Sequence, residues 1–338
     1  MPVIAVDAMG GDFAPDEVVK GVARASLGTA IECVLVGDEP RIQKILESVS
    51  YNPEHISIRH AAEFVEMHEP PKEALRAKRD ASIVVGAKLV AEGHAQALVS
   101  AGNTGACILA CARHFRTIKG IRKTALASVY PRQTEYPGQD QLALLLDVGA
   151  TIRCDALDLA QFAVMGSAYA RRVSKVERPR VGLLNMGAEP FKGGDVLTEA
   201  YQRLSALPGI DFVGNIEGND VAKGRADVIV CEGYVGNVVL KLIEGIAEVV
   251  TDVASNAVKR RFMWRLGMML LARGIREVAH LADYTKYGGA PLLGFEHLFL
   301  KAHGRSTARA IENAVKVAAK AVRDGVPQEI AAGIEAVR

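Results

Sequence analysis

Ala97-Leu-Val-Ser-Ala-Gly-Asn-Thr-Gly-Ala106 is the stretch on which the fold turns. An apolar run ends at Val99, small and polar residues follow from Ser100 to Gly105, and Cys107-Ile-Leu-Ala110 opens a helical pattern. Such a passage is a strand tip turning tightly into a helix N-terminus. Its glycines clear side chains from the backbone, and the first free N–H groups and the helix dipole favour an anion. Ser100, Asn103 and Thr104 add hydrogen-bonding groups without charge. Two readings stand here: a phosphate cradle built from Ser100, Gly102, Asn103, Thr104 and Gly105, or a capped turn that binds nothing.

The same unit recurs outward from it. Pro2–Val6 reads as a strand ending in Asp7-Ala-Met-Gly-Gly-Asp12, with a helix opening at Pro15 and Asp16. Ile31–Val36, Ile56–Arg59, Ala125–Tyr130, Gln141–Val148, Arg180–Leu184, Ile210–Ile216 and Ala226–Val230 read as further strands, with helices between most of them. This alternation predicts an α/β fold with a doubly wound, mainly parallel sheet between helical layers, an α/β/α sandwich. Strand ends finish repeatedly in Gly, Asn and Asp, and such folds bind ligands at that edge. No linker, repeat or low-complexity tract divides residues 1–338, so they read as one unit. Residues 246–281 break the alternation and read as a projecting helical hairpin about Lys259-Arg-Arg261. Its far arm is apolar nearly all round, with Trp264, Leu270 and Leu271, and Arg260, Arg261, Arg265 and Arg273 interrupt it. A membrane-interface tip and a dimer seam both fit that pattern.

Composition narrows the chemistry. Apolar residues make 49% and charged residues 24% of the 338, as in ordinary globular proteins. The net charge of +2 provides no field for nucleic acid. Asp7, Asp12, Asp16 and Glu17 interrupt any signal peptide, and no apolar run approaches a membrane-spanning length. The five cysteines lack CxxC or Cys/His metal spacing and read as reduced thiols of a cytoplasmic protein. GxSxG, Walker, GxGxxG and HExxH patterns are absent, so neither a covalent nucleophile nor a metal or cofactor is expected. Cys107, early in its helix, could have a lowered pKa or serve only packing. His68, in the proline-punctuated loop Glu63–Pro71, could be a general base or a surface histidine.

What remains is a set of anion-binding elements. Lys72–Asp80 leads into a helix at Ala81–Gly93 that Asp80 or Ser82 would cap, which puts Arg76, Lys78 and Arg79 near a second helix N-terminus. Asp7, Asn185 and Glu189 at other strand ends extend this second anion or substrate site. With Lys192 and the glycine-bounded Asn237, the set suits a reaction in which phosphate is a substrate and catalysis rests on positioning and oxyanion stabilisation.

Val6-Asp-Ala-Met-Gly-Gly-Asp12, Ser100–Ala106, Leu146-Asp-Val-Gly-Ala150, Val181–Asn185 with Glu189 and Lys192-Gly193, Glu217-Gly-Asn219, Gly233-Tyr-Val-Gly-Asn237 with Lys241, and Tyr287-Gly-Gly-Ala-Pro-Leu-Leu-Gly294 stand in a fixed order. Together they resemble the bacterial phosphate acyltransferase (PlsX) family from Val3 to about Arg323. That family's Asp-Ser-Ser-Met turn is replaced by Asp80-Ala81-Ser82-Ile83. The resemblance implies that acyl-[acyl carrier protein] and inorganic phosphate give acyl phosphate and free carrier, feeding glycerol-3-phosphate acylation. It implies the fold of phosphotransacetylases and isocitrate dehydrogenases, a homodimer, and attachment to the inner face of the cytoplasmic membrane. The downstream glycerol-3-phosphate acyltransferase would be a further partner. Lys192 and Asn237 would stabilise the oxyanion, and the hairpin arginines would meet either the acidic carrier or lipid headgroups. Two other functions stay open: a short-chain phosphotransacetylase acting on acyl-CoA, and a scaffold that binds carrier and membrane without turnover.

Overall fold

The computed structural model describes residues 1–134, 142–260 and 288–337. β1 (Val3–Asp7), α1 (Asp16–Gly28), β2 (Glu32–Gly37), α2 (Glu39–Leu46), β3 (Ile56–His60), α3 (Pro71–Ala77), α4 (Ser82–Ala91), β4 (Ala97–Ser100) and α5 (Thr104–His114) come first. β5 (Ala125–Pro131), β6 (Leu142–Leu146), α6 (Ala156–Tyr169), β7 (Arg180–Leu184), α7 (Asp195–Ala206), β8 (Asp211–Ile216), β9 (Val228–Val230) and α8 (Gly233–Arg260) follow. β10 (Ala290–Leu293), β11 (Leu298–Lys301), α9 (Ala308–Arg323) and α10 (Val326–Ile334) close the described chain.

The strands join in one sheet of order β3-β2-β1-β4-β11-β10-β5-β6-β9-β7-β8. Their residues alternate between two cores. Ile4, Val6, Ala97, Val99, Leu144 and Leu146 face α1, α6 and α9, whereas Ala5, Leu98 and Leu145 face α4 and α5. Because both faces are covered, the strands read as continuous apolar runs. Burial also explains α6, which is enclosed around almost its whole circumference. It begins on a reciprocal cap: Asp155 accepts the Asp158 N–H at 2.9 Å and Asp158 accepts the Asp155 N–H at 3.0 Å.

Two departures from the sequence reading matter for the site. First, the sheet changes direction. β3, β2, β1, β4 and β11 run parallel, β10 and β5 pair antiparallel, and β6, β9, β7 and β8 run parallel the opposite way. The carboxyl ends of β1, β4 and β11 therefore form one rim, and those of β6, β9 and β7 the other. β10 falls within Tyr287–Gly294, whose glycines suggest only a loop, and β11 follows it where the pattern suggests no strand. Pro291 is tolerated because β10 pairs with β5 only through Leu292 and Leu293, which leaves the proline outside that ladder. Second, the apolar pattern suggests a helix over Val238–Val250, but α8 starts at Gly233 and is continuous to Arg260, so the near arm of the hairpin extends this helix. The Arg260 side chain, and Arg261, Trp264, Arg265, Leu270, Leu271 and Arg273, lie outside the described residues.

Candidate active site

At the first rim the turn after β4 is held by its neighbours. Asp7, at the tip of β1 and buried, accepts the Ser100 hydroxyl at 2.7 Å and the Met9 N–H at 3.3 Å, and Ser82 also donates to it. Burial pushes the Asp7 carboxyl above its ordinary range, and these donors pull the other way. Ser100 Oγ in turn accepts the Gly102 N–H at 3.0 Å. Asn103 caps α5 through Oδ1, which accepts the Ala106 N–H at 3.1 Å. Its Nδ2 donates to the carbonyls of Met67 and Glu69, at 2.9 and 3.1 Å, tying the 63–70 loop to the cap. Ser100 and Asn103 thus shape the turn. The N–H groups of Thr104 and Gly105 find no partner among the described residues.

The other rim carries a second tight turn. Asp147, fully buried after β6, accepts the N–H groups of Leu126, Gly149, Ala150 and Thr151 and the Thr151 hydroxyl, all within 2.7–3.0 Å. Burial raises its pKa against the pull of those donors. The first turn of α8 is seated on it. A Cβ on Gly236 would run into the Asp147 carbonyl, and one on Gly233 into that of Thr151, so only glycines allow this approach. Asn237 follows, exposed, with Nδ2 donating to the Val148 carbonyl at 3.0 Å. Further along this rim Asn185 anchors the loop after β7, donating to the Lys192 carbonyl at 3.0 Å, and Asn215 donates to that of Glu189 at 2.8 Å. Lys192 itself is exposed, its ammonium 5.9 Å from the Phe191 ring.

α8 joins the rims. Asn237 and Lys241 share a helical face at i, i+4 spacing. Burial presses the Lys301 pKa down at the tip of β11 and Lys241 adds to that from α8; burial likewise lowers His303, against the pull of Glu244. No such link ties Lys192 to the cradle. Beside the Asp147 turn a groove of about 830 Å³ runs between Phe115, Phe295, Ala150 and Thr151 and is bordered by Arg116, Arg122, Lys123 and Arg153. Arg122 and Lys123 are held by Asp155 and Asp158, at 2.7 and 2.8 Å.

Other candidates fall elsewhere. Lys78 pairs with Glu69 at 2.7 Å and donates to the Phe64 carbonyl at 2.9 Å, stapling the loop. Arg76 and Arg79 are exposed, and Asp80 pairs with Lys88 at 3.1 Å. α4 is capped by neither Asp80 nor Ser82; Ala81 occupies that position, wholly buried with no side-chain bond. Ser82 turns inward to Asp7, and reversal of the sheet separates Asp7 from Asn185 and Glu189. Burial pushes the Cys107 thiol up to about 11, and it packs against Ser100 Oγ at 3.5 Å; enclosure outweighs the helix dipole. His68 is exposed and borders a smaller hollow with Asp12, Arg41 and Glu66. Lys301 and His303 are the residues that sequence reasoning missed. No cluster of metal-ligating side chains occurs among the described residues.

A family model described as "Fatty acid synthesis protein" matches residues 3–329. The phosphate acyltransferase of Dictyoglomus turgidum is 42% identical over 335 residues, covering 99% of this chain and 98% of its own. That of Heliobacterium modesticaldum is 45% identical over 333 residues, covering 98% and 96%. Among solved structures, a phosphotransacetylase from Streptococcus pyogenes superposes with a TM-score of 0.64 at 17% identity, covering 95% of this chain and 94% of its own. A 4-hydroxythreonine-4-phosphate dehydrogenase from Klebsiella pneumoniae reaches 0.54 at 16% identity, covering 95% and 100%. At that identity the two structures speak for a shared fold alone.

Proposed function

The chain belongs to the phosphate acyltransferase family of fatty acid synthesis proteins, and from that membership we propose that it moves an acyl group from an acyl carrier protein thioester to inorganic phosphate. One observation carries the reading. The unpaired N–H groups of Thr104 and Gly105 open a glycine-cleared helix N-terminus, and Lys241, one turn beyond Asn237 on α8, lies within electrostatic reach of Lys301 beside it.

In the proposed step a phosphate oxygen attacks the thioester carbonyl carbon. The new C–O bond forms as the C–S bond breaks, and the proton of hydrogen phosphate ends on the departing sulfur. The Asn237 amide has a second N–H to give, beyond the one on Val148, and would donate it to the developing oxyanion; Lys192, on the same rim as Asn237, would add its charge there once the thioester spans the two rims. A thiolate leaves readily and dianionic phosphate is nucleophilic, so no strong base is required. The acyl phosphate would then feed acylation of glycerol 3-phosphate. An acidic carrier would meet the basic border of the groove, Arg116 and Arg153 in particular.

The deciding experiment is phosphate-dependent release of free thiol from an acyl carrier protein. Turnover whose KM for carrier rises with ionic strength is expected. Activity on short-chain acyl-CoA alone would make the protein a phosphotransacetylase, and binding without thiol release would make it a scaffold.

Assembly is part of the proposal. Val235, Val238, Leu242, Ile246, Val249 and Val253 are exposed along α8 at steps of three or four residues, the spacing of a helix–helix seam. That supports a homodimer, and the apolar sequence of the far arm is the separate ground for proposing a membrane contact. No helix among the described residues is long and apolar enough to cross a membrane. Liposome flotation of the Leu270→Glu/Leu271→Glu variant separates the two contacts. Loss of flotation with the dimer intact is expected; loss of the dimer would make the far arm part of the seam.

A further inference from the structure

The register of the sheet brings to the cradle a residue with no mark in the sequence. Lys301 ends β11 directly opposite Ser100, and Ala302 extends the pairing by donating its N–H to the Ser100 carbonyl at 2.9 Å. The next residues keep to the same stack. The Asp12 N–H donates to the Gly304 carbonyl at 2.8 Å, and a Cβ on Gly11 would stand 3.0 Å from the Ala101 side chain and 3.2 Å from the Gly304 carbonyl. The loops after β1, β4 and β11 are therefore layered on one another beneath the first turn of α5.

Within this stack Lys301 is only 8% exposed. Asp7, Asp12 and Cys107 act on it from the β1 loop and α5, and Lys241 acts on it from α8. None of the described carboxylates comes within ion-pair distance of it. Asp7 spends its oxygens on Ser100, Ser82 and Met9. The ammonium has three hydrogens, and the protein acceptor it meets is the carbonyl of Ala302. An enclosed charge without a counter-ion is costly, and an arriving oxyanion offsets that cost.

We propose that Lys301 is the cation of the phosphate site, binding through its ammonium the inorganic phosphate seated on the N–H groups of Thr104 and Gly105. The proposal rests on the phosphate-transfer function. An arriving oxyanion favours the protonated amine against the burial that lowers its pKa, and Lys301 forms no bond to the acyl group. It holds the nucleophile, and Lys192 and Asn237 act on the electrophile.

Lys301→Met tests this in the full-length protein by two readouts: steady-state thiol release against phosphate concentration, and melting temperature with and without inorganic phosphate. Removal of a charge-assisted contact should raise KM for phosphate at least ~tenfold, with KM for the acyl carrier thioester within about twofold of wild type. The variant should melt no lower than wild type, because a buried charge is gone, and phosphate should stabilise wild type only. Lys301→Arg should recover part of the phosphate affinity. A phosphate KM within about twofold of wild type in Lys301→Met overturns the assignment. If that variant does not fold, Lys301→Gln is read in the same way, and failure of both to fold overturns the assignment in favour of a structural role. Wild-type protein that melts higher in phosphate yet releases no thiol would refute the transfer function while leaving this site standing.

Discussion

Asn237→Ala is expected to lower thiol release by ~10²-fold or more with the fold intact, as loss of an oxyanion donor does elsewhere. The separation of the two effects follows from position. Asn237 is exposed, and its bond to the Val148 carbonyl contributes only about 1 kcal/mol to stability. Gly233 and Gly236, not Asn237, seat α8 on the Asp147 turn, so the helix should stay in place. Lys192→Ala should cost a similar factor for the same reason, again with little change in melting, because the side chain is exposed. kcat should change more than KM for either substrate, since in the proposed mechanism both groups act on charge that develops only in the transition state. Near-wild-type turnover in a folded Asn237→Ala protein would remove that amide from the mechanism, and the same result for Lys192 would leave its loop without a chemical role.

The largest stability effect is expected at Asp147. Alanine there strips acceptors from four backbone N–H groups and one hydroxyl at once, inside the fold. Orphaning such donors should cost at least ~3–5 kcal/mol, the range measured when one partner of a buried charged network is removed. Asp147→Asn keeps the volume and one acceptor, but turns its NH2 towards N–H groups that cannot accept. It should lie between alanine and wild type. Urea unfolding reads this as a fall in midpoint at unchanged slope. A midpoint for Asp147→Ala within experimental error of wild type would show that the 147–151 turn is held by something other than its carboxylate. Activity should fall with stability here, because the turn is the platform for Asn237.

Much of the architecture is legible in local pattern. The turn after β4 announces itself through Gly102, Asn103 and Gly105, and the bounds of β7 follow from Arg180–Leu184 directly. What is hidden depends on distant partners. Ala290–Leu293 is four residues between glycines with a proline inside, and it becomes a strand only because β11 and β5 flank it. Gly233 and Gly236 argue against helix in isolation, yet each is needed for the close approach to Asp147 and Thr151. Lys301 carries no motif of its own, and nothing nearby in sequence foretells its burial beside the loops after β1 and β4. For Cys107 the helix position is visible and its enclosure is not, so the direction of its pKa shift cannot be read from spacing.

The strand order also bears on how the chain is made. β3-β2-β1-β4 and β5-β6-β9-β7-β8 are each contiguous, and the two strands that join them, β11 and β10, come near the end of the described sequence. During synthesis the two half-sheets can form early, each around its own parallel units, but neither β4 nor β5 has its inner neighbour until residues 290–301 emerge. The seam is then closed from within by an antiparallel pair. The same event delivers Lys301 to Ser100, so the cradle gains its buried cation only when the sheet becomes whole. On the proposed role of Lys301, assembly order would keep an unfinished chain from presenting a complete anion site.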